Sequence, residues 1–212
     1  MNSTYSNLLP VMESFYTLQG EGFHKGKAAY FIRLGGCDVG CVWCDVKESW
    51  DANAHPKISV QEIYKKAIIE INQHNKSQQK PIIVITGGEP LLHNLNELTK
   101  TFHAGGFETN IETSGSHPLS GNWDWICLSP KKFKAPLPEI LPKANELKIV
   151  VFNTSDFDWA EKYATHVSPE CKLYLQPEWD KAELVTPLII DYIKTHPKWA
   201  LSLQIHKYIN VP

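Results

Sequence analysis

The chain has 212 residues, 42% of them hydrophobic and 21% charged, enough to bury a sizeable core as one domain, 1–212. A formal net charge of −2, with no stretch dominated by Lys or Arg, argues against a polyanion-binding surface, so no nucleic-acid partner is expected. The longest apolar runs, PIIVI and PLII, are too short to span a bilayer, and the opening MNSTYSNLLPVMES has neither a basic region nor a long apolar segment. A cytoplasmic location away from membranes is therefore expected, and in a reducing compartment clustered cysteines more often bind metal than form disulfides.

In chain order, AAYFIRL (28–34) reads as a first strand that feeds directly into LGGCDVGCVWCDVKESW. A helix follows from Ser59, because Val60, Ile63, Tyr64, Ala67, Ile68 and Ile71 recur at helical steps; Ser59 and Glu62 have capping-box spacing. PIIVIT (81–86) is a β-branched buried strand, and GGEPLL turns into a helix carrying Leu92, Leu95, Leu98 and Phe102 on one face, ended by Gly105-Gly106. Further strands are expected over 107–112, 124–128, 147–152, 171–175 and 200–205. Helices are expected over about 156–165 and about 187–195, the second starting with Thr186 before Pro187. TSGSHPLSGN, between the strands at 107–112 and 124–128, is too short and too rich in Gly, Pro and Ser for a crossover helix. The fold class is α/β: a shortened, open partial (β/α) barrel of mostly parallel strands.

Polar motifs fall in phase with these strands. Arg33 and the cysteine loop follow the first and TGGEP (86–90) the second; ETSG (112–115), SPK (129–131), QPEW (176–179) and IHKY (205–208) come after later ones. In parallel α/β proteins functional groups gather at the carboxyl ends of strands, so the pattern points to one active-site rim. Singly, each has a plainer reading. GGEP is a fair turn, SPK and QPE are ordinary loop starts, and His206 on an apolar strand is a hydrogen-bonded core histidine. Arg33 could simply be ion-paired, and Cys127 and Cys171, alone in apolar strands, read as small buried thiols.

The cysteine loop, Cys37, Cys41 and Cys44 spaced C-x3-C-x2-C, admits three readings. Structural zinc needs a fourth ligand, for which His24, His55 and Asp45 are available. A dithiol redox pair at Cys41 and Cys44 leaves Cys37 unexplained. An iron–sulfur cluster held by three thiolates keeps one iron open for a substrate or cofactor, which favours catalysis over structure.

The C-x3-C-x2-C loop after the first strand, with G-G-E-P after the second, resembles the radical S-adenosylmethionine superfamily. Within it, FYTLQGEG (15–22), FIRLGGC (31–37), TGGEP, ETSG, SPK, LQPE and the closing SLQIHKYINVP resemble the 7-carboxy-7-deazaguanine synthase family, from about residue 12 to the last. The resemblance implies a 4Fe–4S cluster and S-adenosyl-L-methionine, cleaved to a 5'-deoxyadenosyl radical, and an external electron donor. It also implies a pterin substrate, 6-carboxy-5,6,7,8-tetrahydropterin, contracted to 7-carboxy-7-deazaguanine with loss of ammonia, and a homodimer. Rival readings are a glycyl-radical-enzyme activase, which would have to admit a protein loop, and a non-catalytic zinc or iron–sulfur module.

By the same resemblance, Cys37, Cys41 and Cys44 hold the cluster. Gly87, Gly88, Glu89 and Pro90 bind the amino group of S-adenosylmethionine. Ser129, Pro130 and Lys131, with Gln176, Pro177 and Glu178, meet its ribose, carboxylate or adenine. Leu18, Gln19 and Gly20 border the pterin, Arg33 pairs with the substrate carboxylate, Thr86 and His206 add polar contacts, and Pro212 reaches the substrate. One position departs: where the family has Thr or Ser to help bind magnesium, this chain has Val46, which offers no oxygen. Either other groups such as Asp45 hold the cation or it is not used in the family's way.

Overall fold

The computed structural model describes residues 8–212; residues 1–7, part of the expected unit 1–212 and of the N-terminal reading above, lie outside the described residues. The strand expected over 28–34 is β2 (Ala28–Leu34). An element that the sequence does not announce precedes it. This is β1 (Leu8–Leu18), which runs antiparallel to β2 and is flanked on its other side by the short antiparallel β3 (Lys57–Ser59). Pro10 and Glu13 interrupt its apolar alternation, and its register shifts between Val11 and Glu13, so an irregularity absorbs residues that a regular strand would reject.

From β3 the chain enters α1 (Val60–His74) through the expected capping box. Glu62 N–H donates to Ser59 Oγ at 3.3 Å, and Ser59 N–H donates to Glu62 Oε2 at 3.1 Å. After β4 (Ile82–Gly87) the chain makes a 3-10 turn at Pro90–Leu92, and α2 (Asn96–Ala104) begins only beyond it. The helix expected from Leu92 is therefore shorter. Asn94 Oδ1 accepts Asn96 N–H and Ser120 Oγ accepts Leu95 N–H, both at 3.1 Å, so side chains satisfy the backbone where the helix would have started. Leu92 is exposed, whereas Leu95, Leu98 and Phe102 are buried as expected.

No helix joins β5 (Thr109–Thr113) to β6 (Trp125–Leu128), in line with the composition of TSGSHPLSGN. β7 (Glu146–Val151) leads through α3 (Ser155–Ala164) to β8 (Lys172–Pro177). Next comes α4 (Ala182–Thr195), which starts earlier than expected. A turn at Trp179–Lys181, capped by the Glu178 carboxylate, sets the coil before Pro187, leaving that proline inside the helix rather than at its head. β9 (Trp199–Leu201) is also shorter than the expected 200–205: Ile205 N–H donates to Gly20 O at 2.9 Å, drawing the chain off the sheet into α5 (Ile205–Ile209). His206 thus sits on a short helix, not on a core strand.

The sheet order is β3-β1-β2-β4-β5-β6-β7-β8-β9, and from β2 onward every neighbouring pair is parallel. The two edge strands do not pair, which makes it the open α/β arrangement expected. Period two divides its faces. Tyr30, Ile32 and Leu34, Ile83 and Ile85, Ile111, Leu128, Leu147 and Ile149 pack with the helices into the main core. Each such fully buried aliphatic side chain contributes about 1.5–3 kcal/mol. The alternate positions, Phe31 and Arg33, Thr86, Glu112, Lys148 and Val150, and Gln176, face the concave side and line a cavity. Cys127 and Cys171 are buried free thiols; Cys171 packs in the main core, whereas Cys127 lies beside the charged Glu112, Glu146 and Lys148.

Candidate active site

The cavity has a volume of about 320 Å3 and lies at the carboxyl ends of the parallel strands. It is lined by Leu18, Gln19, Gly20, Arg33, Cys37, Cys41, Cys44, Thr86, Gly87, Gly88, Glu89, Ser129, Lys131, Gln176, Pro177, Glu178, His206 and Pro212. Two expected residues do not line it. Pro90 is buried at the head of its 3-10 turn, and Pro130 turns its carbonyl to accept Trp159 Nε1–H from α3 at 3.4 Å.

The base of the cysteine loop is tied to the chain just beyond it: Gly36 N–H donates to Ser49 O at 2.6 Å and Cys37 N–H to Trp50 O at 3.0 Å. On its outer side Asp38 accepts from His117 Nε2 at 2.9 Å and from Lys134 Nζ at 2.6 Å, which holds the Asp38 carboxyl below its ordinary range. Burial pushes the Cys37 thiol up, and the Cys41 thiol up to about 11. Among the described residues no three Cys, His, Asp or Glu side chains close on a single point as ligands of one ion do.

The glycines of TGGEP have a steric reason. A Cβ on Gly88 would fall 2.4 Å from Gly36 O and 2.6 Å from Cys37 Cβ, so only glycine lets this turn pack onto the cysteine loop. The Glu89 carboxylate, at the cavity wall, is engaged by four donors of the fold. Oε1 accepts from Thr113 Oγ1 at 2.5 Å and Leu91 N–H at 3.0 Å; Oε2 accepts from Ser114 N–H at 2.8 Å and Ser114 Oγ at 2.5 Å. Glu89 is the buckle joining the loops after β4 and β5, and the backbone beside it is what faces the cavity.

On the opposite wall, a Cβ on Gly20 would lie 2.1 Å from His206 Nδ1, so the imidazole of α5 covers that glycine. Burial lowers the His206 pKa below the ordinary histidine value, favouring a neutral ring. α5 is fastened by Lys207 Nζ to Asp45 Oδ2 at 3.1 Å, and Thr17 Oγ1 donates to Pro212 O at 3.3 Å. Arg33 Nε pairs with Glu13 at 2.7 Å, the plainer reading of that residue, while its terminal nitrogens take no partner among the described residues and its side chain lines the cavity. Lys131 Nζ donates to Ser129 Oγ at 2.6 Å and lies over the Trp43 ring.

Sequence reasoning missed the cavity floor. Lys148, 4% exposed, donates to Glu21 and to Glu112 Oε2, the latter at 2.8 Å. Desolvation pulls the Lys148 ammonium down, but Cys127, Glu112, Glu21 and Glu146 around it prevail and hold it well above the usual lysine value. Burial works against the Glu21 carboxylate, yet Lys148, Gln204 and Gln176 bring it down to about 2. A signal was present: Glu146 and Lys148 alternate within the apolar run ELKIVV, and charges on a buried strand require partners.

Comparison with known proteins places this geometry. Residues 31–135 match the family model described as the Radical SAM superfamily. The chain is 51% identical to the 7-carboxy-7-deazaguanine synthase of Flavobacterium psychrophilum, over 97% of this chain and 93% of that one. It is 48% identical to the synthase of the same name from Synechocystis, over 95% of this chain and 93% of the other. The chain belongs to the 7-carboxy-7-deazaguanine synthase family. The crystal structure of QueE from Escherichia coli superposes with a TM-score of 0.78 at 31% identity, covering 92% of this chain and 93% of that one. The chain is thus a radical S-adenosylmethionine enzyme, and the activase and the non-catalytic module are set aside.

The family implies a 4Fe–4S cluster and S-adenosylmethionine, and the residues fit them. Three free thiols line one cavity, and thiolates are the usual protein ligands of such a cluster. The glycine turn packed against Cys37 presents backbone rather than side chains next to them. No helix among the described residues is long and apolar enough to cross a membrane.

Proposed function

We propose that this enzyme converts 6-carboxy-5,6,7,8-tetrahydropterin to 7-carboxy-7-deazaguanine with loss of ammonia, in queuosine or another 7-deazapurine pathway. The observation that carries this reading is one cavity gathering the LQGE segment (18–21), the cysteine loop, the glycine turn and the C-terminal His206 and Pro212. When bound, the cluster and S-adenosylmethionine supply the radical chemistry; the chain orients the reactants and excludes water. Cys37, Cys41 and Cys44 hold the cluster. The Gly87–Gly88 backbone meets the amino group of S-adenosylmethionine, with Glu89 and Pro90 shaping that turn. Ser129 and Lys131 with Gln176, Pro177 and Glu178 form the rest of its pocket, and Pro130 shapes the turn between the first two. Leu18, Gln19, Gly20 and Thr86 border the pterin, and Arg33 offers its terminal nitrogens to the substrate carboxylate. His206 and Pro212 close the far side.

In this reading the chain works as a single domain, 1–212, in the cytoplasm, and pairs as a homodimer; exposed Leu184 and Leu188 on α4 supply apolar surface for pairing. Magnesium is not required as it is in the family pattern. Val46 brings no oxygen, and Asp45 Oδ2 is engaged by Lys207. The deciding experiment is anaerobic turnover of the reconstituted protein with S-adenosylmethionine, a reductant and 6-carboxytetrahydropterin. Production of 5'-deoxyadenosine without any deazapurine would retain the radical chemistry and overturn the substrate.

A further inference from the structure

The proposed reaction leaves Asp38 without a task, although it stands between two of the three cysteines of the loop. Its neighbour Val39 is buried against the cavity, while Asp38 stays exposed on the outer side. Among the described residues, no other side chain from 38 to 43 hydrogen-bonds to another part of the chain. Its two oxygens reach two different loops: His117 Nε2, from the loop after β5, at 2.9 Å, and Lys134 Nζ, from the turn after β6, at 2.6 Å. Lys134 Nζ also lies 3.0 Å from His117 Nε2, so three groups from three segments meet at one point. Lys134 is bridged to Lys131 in antiparallel fashion, and the two close one tight turn, 131–134. Phe133 in that turn packs edge-on against Trp43 of the cysteine loop, with ring centroids 6.2 Å apart, and Lys131 Nζ lies 5.1 Å from the centroid of the same indole. Asp38 and Trp43 thus fasten the cysteine loop to this turn at two places. An ion pair as exposed as this one adds little to folding stability, so its use is local.

We propose that Asp38, with Lys134 and His117, forms a clasp that sets the cysteine loop against the Lys131–Lys134 turn and so fixes where S-adenosylmethionine lies relative to the cluster. This rests on the assignment above of Lys131 to the S-adenosylmethionine pocket and of the three cysteines to the cluster. Asp38 does not line the cavity; it is a positioning residue that acts through the two segments it joins. Two halves of a site that shift against each other lose both affinity and orientation. A charge effect through space has a different signature. Asp38 and Lys134 carry opposite charges, so removing one or the other would move affinity in opposite directions. Opening a clasp weakens binding whichever half is lost.

The test is calorimetric binding of S-adenosylmethionine to the cluster-loaded enzyme under anaerobic conditions, with the paramagnetic resonance spectrum of the reduced cluster followed as S-adenosylmethionine is added. Asp38→Ala and Lys134→Ala should each keep the wild-type iron content and weaken binding about 5–20-fold, within the range of coupled neighbouring side chains. The double variant should bind no more weakly than either single one, because the second loss has nothing left to break. The spectral change on binding should require correspondingly more S-adenosylmethionine in all three. Unchanged affinity in both single variants, shifts of opposite sign, or additive losses in the double variant overturn the inference and leave the pocket reading standing. Loss of cluster iron from the single variants also overturns it, since Asp38 would then serve the cluster alone. Lys131→Ala tests the underlying assignment separately: unchanged affinity for S-adenosylmethionine in that variant overturns the place of Lys131 in the pocket and the inference with it.

Discussion

Replacing Glu89 by glutamine tests whether this carboxylate is the buckle between the loops after β4 and β5. Its two oxygens accept four hydrogen bonds, from Thr113 Oγ1, Leu91 N–H, Ser114 N–H and Ser114 Oγ, and the residue is 1% exposed. An amide keeps one acceptor oxygen. Whichever way it is flipped, its NH2 faces a backbone N–H, either that of Leu91 or that of Ser114, and the hydroxyl on the same side must turn round. A buried donor left unsatisfied costs about 1–3 kcal/mol, and losing charge assistance in the remaining bonds adds to it, for a total of about 2–4 kcal/mol. For a chain of this size each kcal/mol moves Tm by about 2–4 °C, so thermal unfolding followed by circular dichroism should shift down by about 4–16 °C. Affinity for S-adenosylmethionine should fall with it, because the glycine turn is anchored through the same residue. A Tm within about 2 °C of wild type would refute the reasoning.

Cys37→Ala, Cys41→Ala and Cys44→Ala should each lose cluster absorbance and turnover after anaerobic reconstitution; retention of both in any variant would remove that thiol from the ligand set. Arg33→Ala should raise KM for the carboxylated pterin about 10–100-fold with little change in kcat, the worth of roughly one charged hydrogen bond, and an unchanged KM would count against its role. His24 is lowered to about 4, mainly by burial and also by Lys27, and its Nδ1 has no hydrogen-bond partner. The fold therefore disfavours the protonated ring. As pH falls from about 6.5 to 4 the unfolded chain takes up a proton that the folded chain resists, and stability declines. His24→Phe, packed against Phe23 and Trp125, should make the urea midpoint fall less over that window; an identical pH slope would exclude His24 as the cause. Added magnesium should scarcely alter turnover of cation-stripped holoenzyme, and a strong dependence would mean that oxygens other than a residue-46 hydroxyl hold the ion.

Much of this protein is legible locally. The capping box at Ser59 and Glu62, the β-branched strand at β4, the missing helix in TSGSHPLSGN and the C-x3-C-x2-C spacing all depend on residues a few positions apart. Their chemistry constrains the backbone wherever the rest of the chain lies. The motifs also fell into one cavity because strand period and loop position together decide which end and which face a residue occupies. Other features required partners that lie far away. β1 forms despite Pro10 and Glu13 because distant strands β2 and β3 pair with it and its register shifts between Val11 and Glu13, and the chain leaves the sheet after β9 because Gly20 O captures Ile205. Glu89 is a buckle only where Thr113 and Ser114 come to meet it. The floor is the clearest case. Lys148 joins Glu112 across 36 residues and Glu21 across 127, so no local pattern pairs them, and only closure of the sheet determines which buried charge meets which.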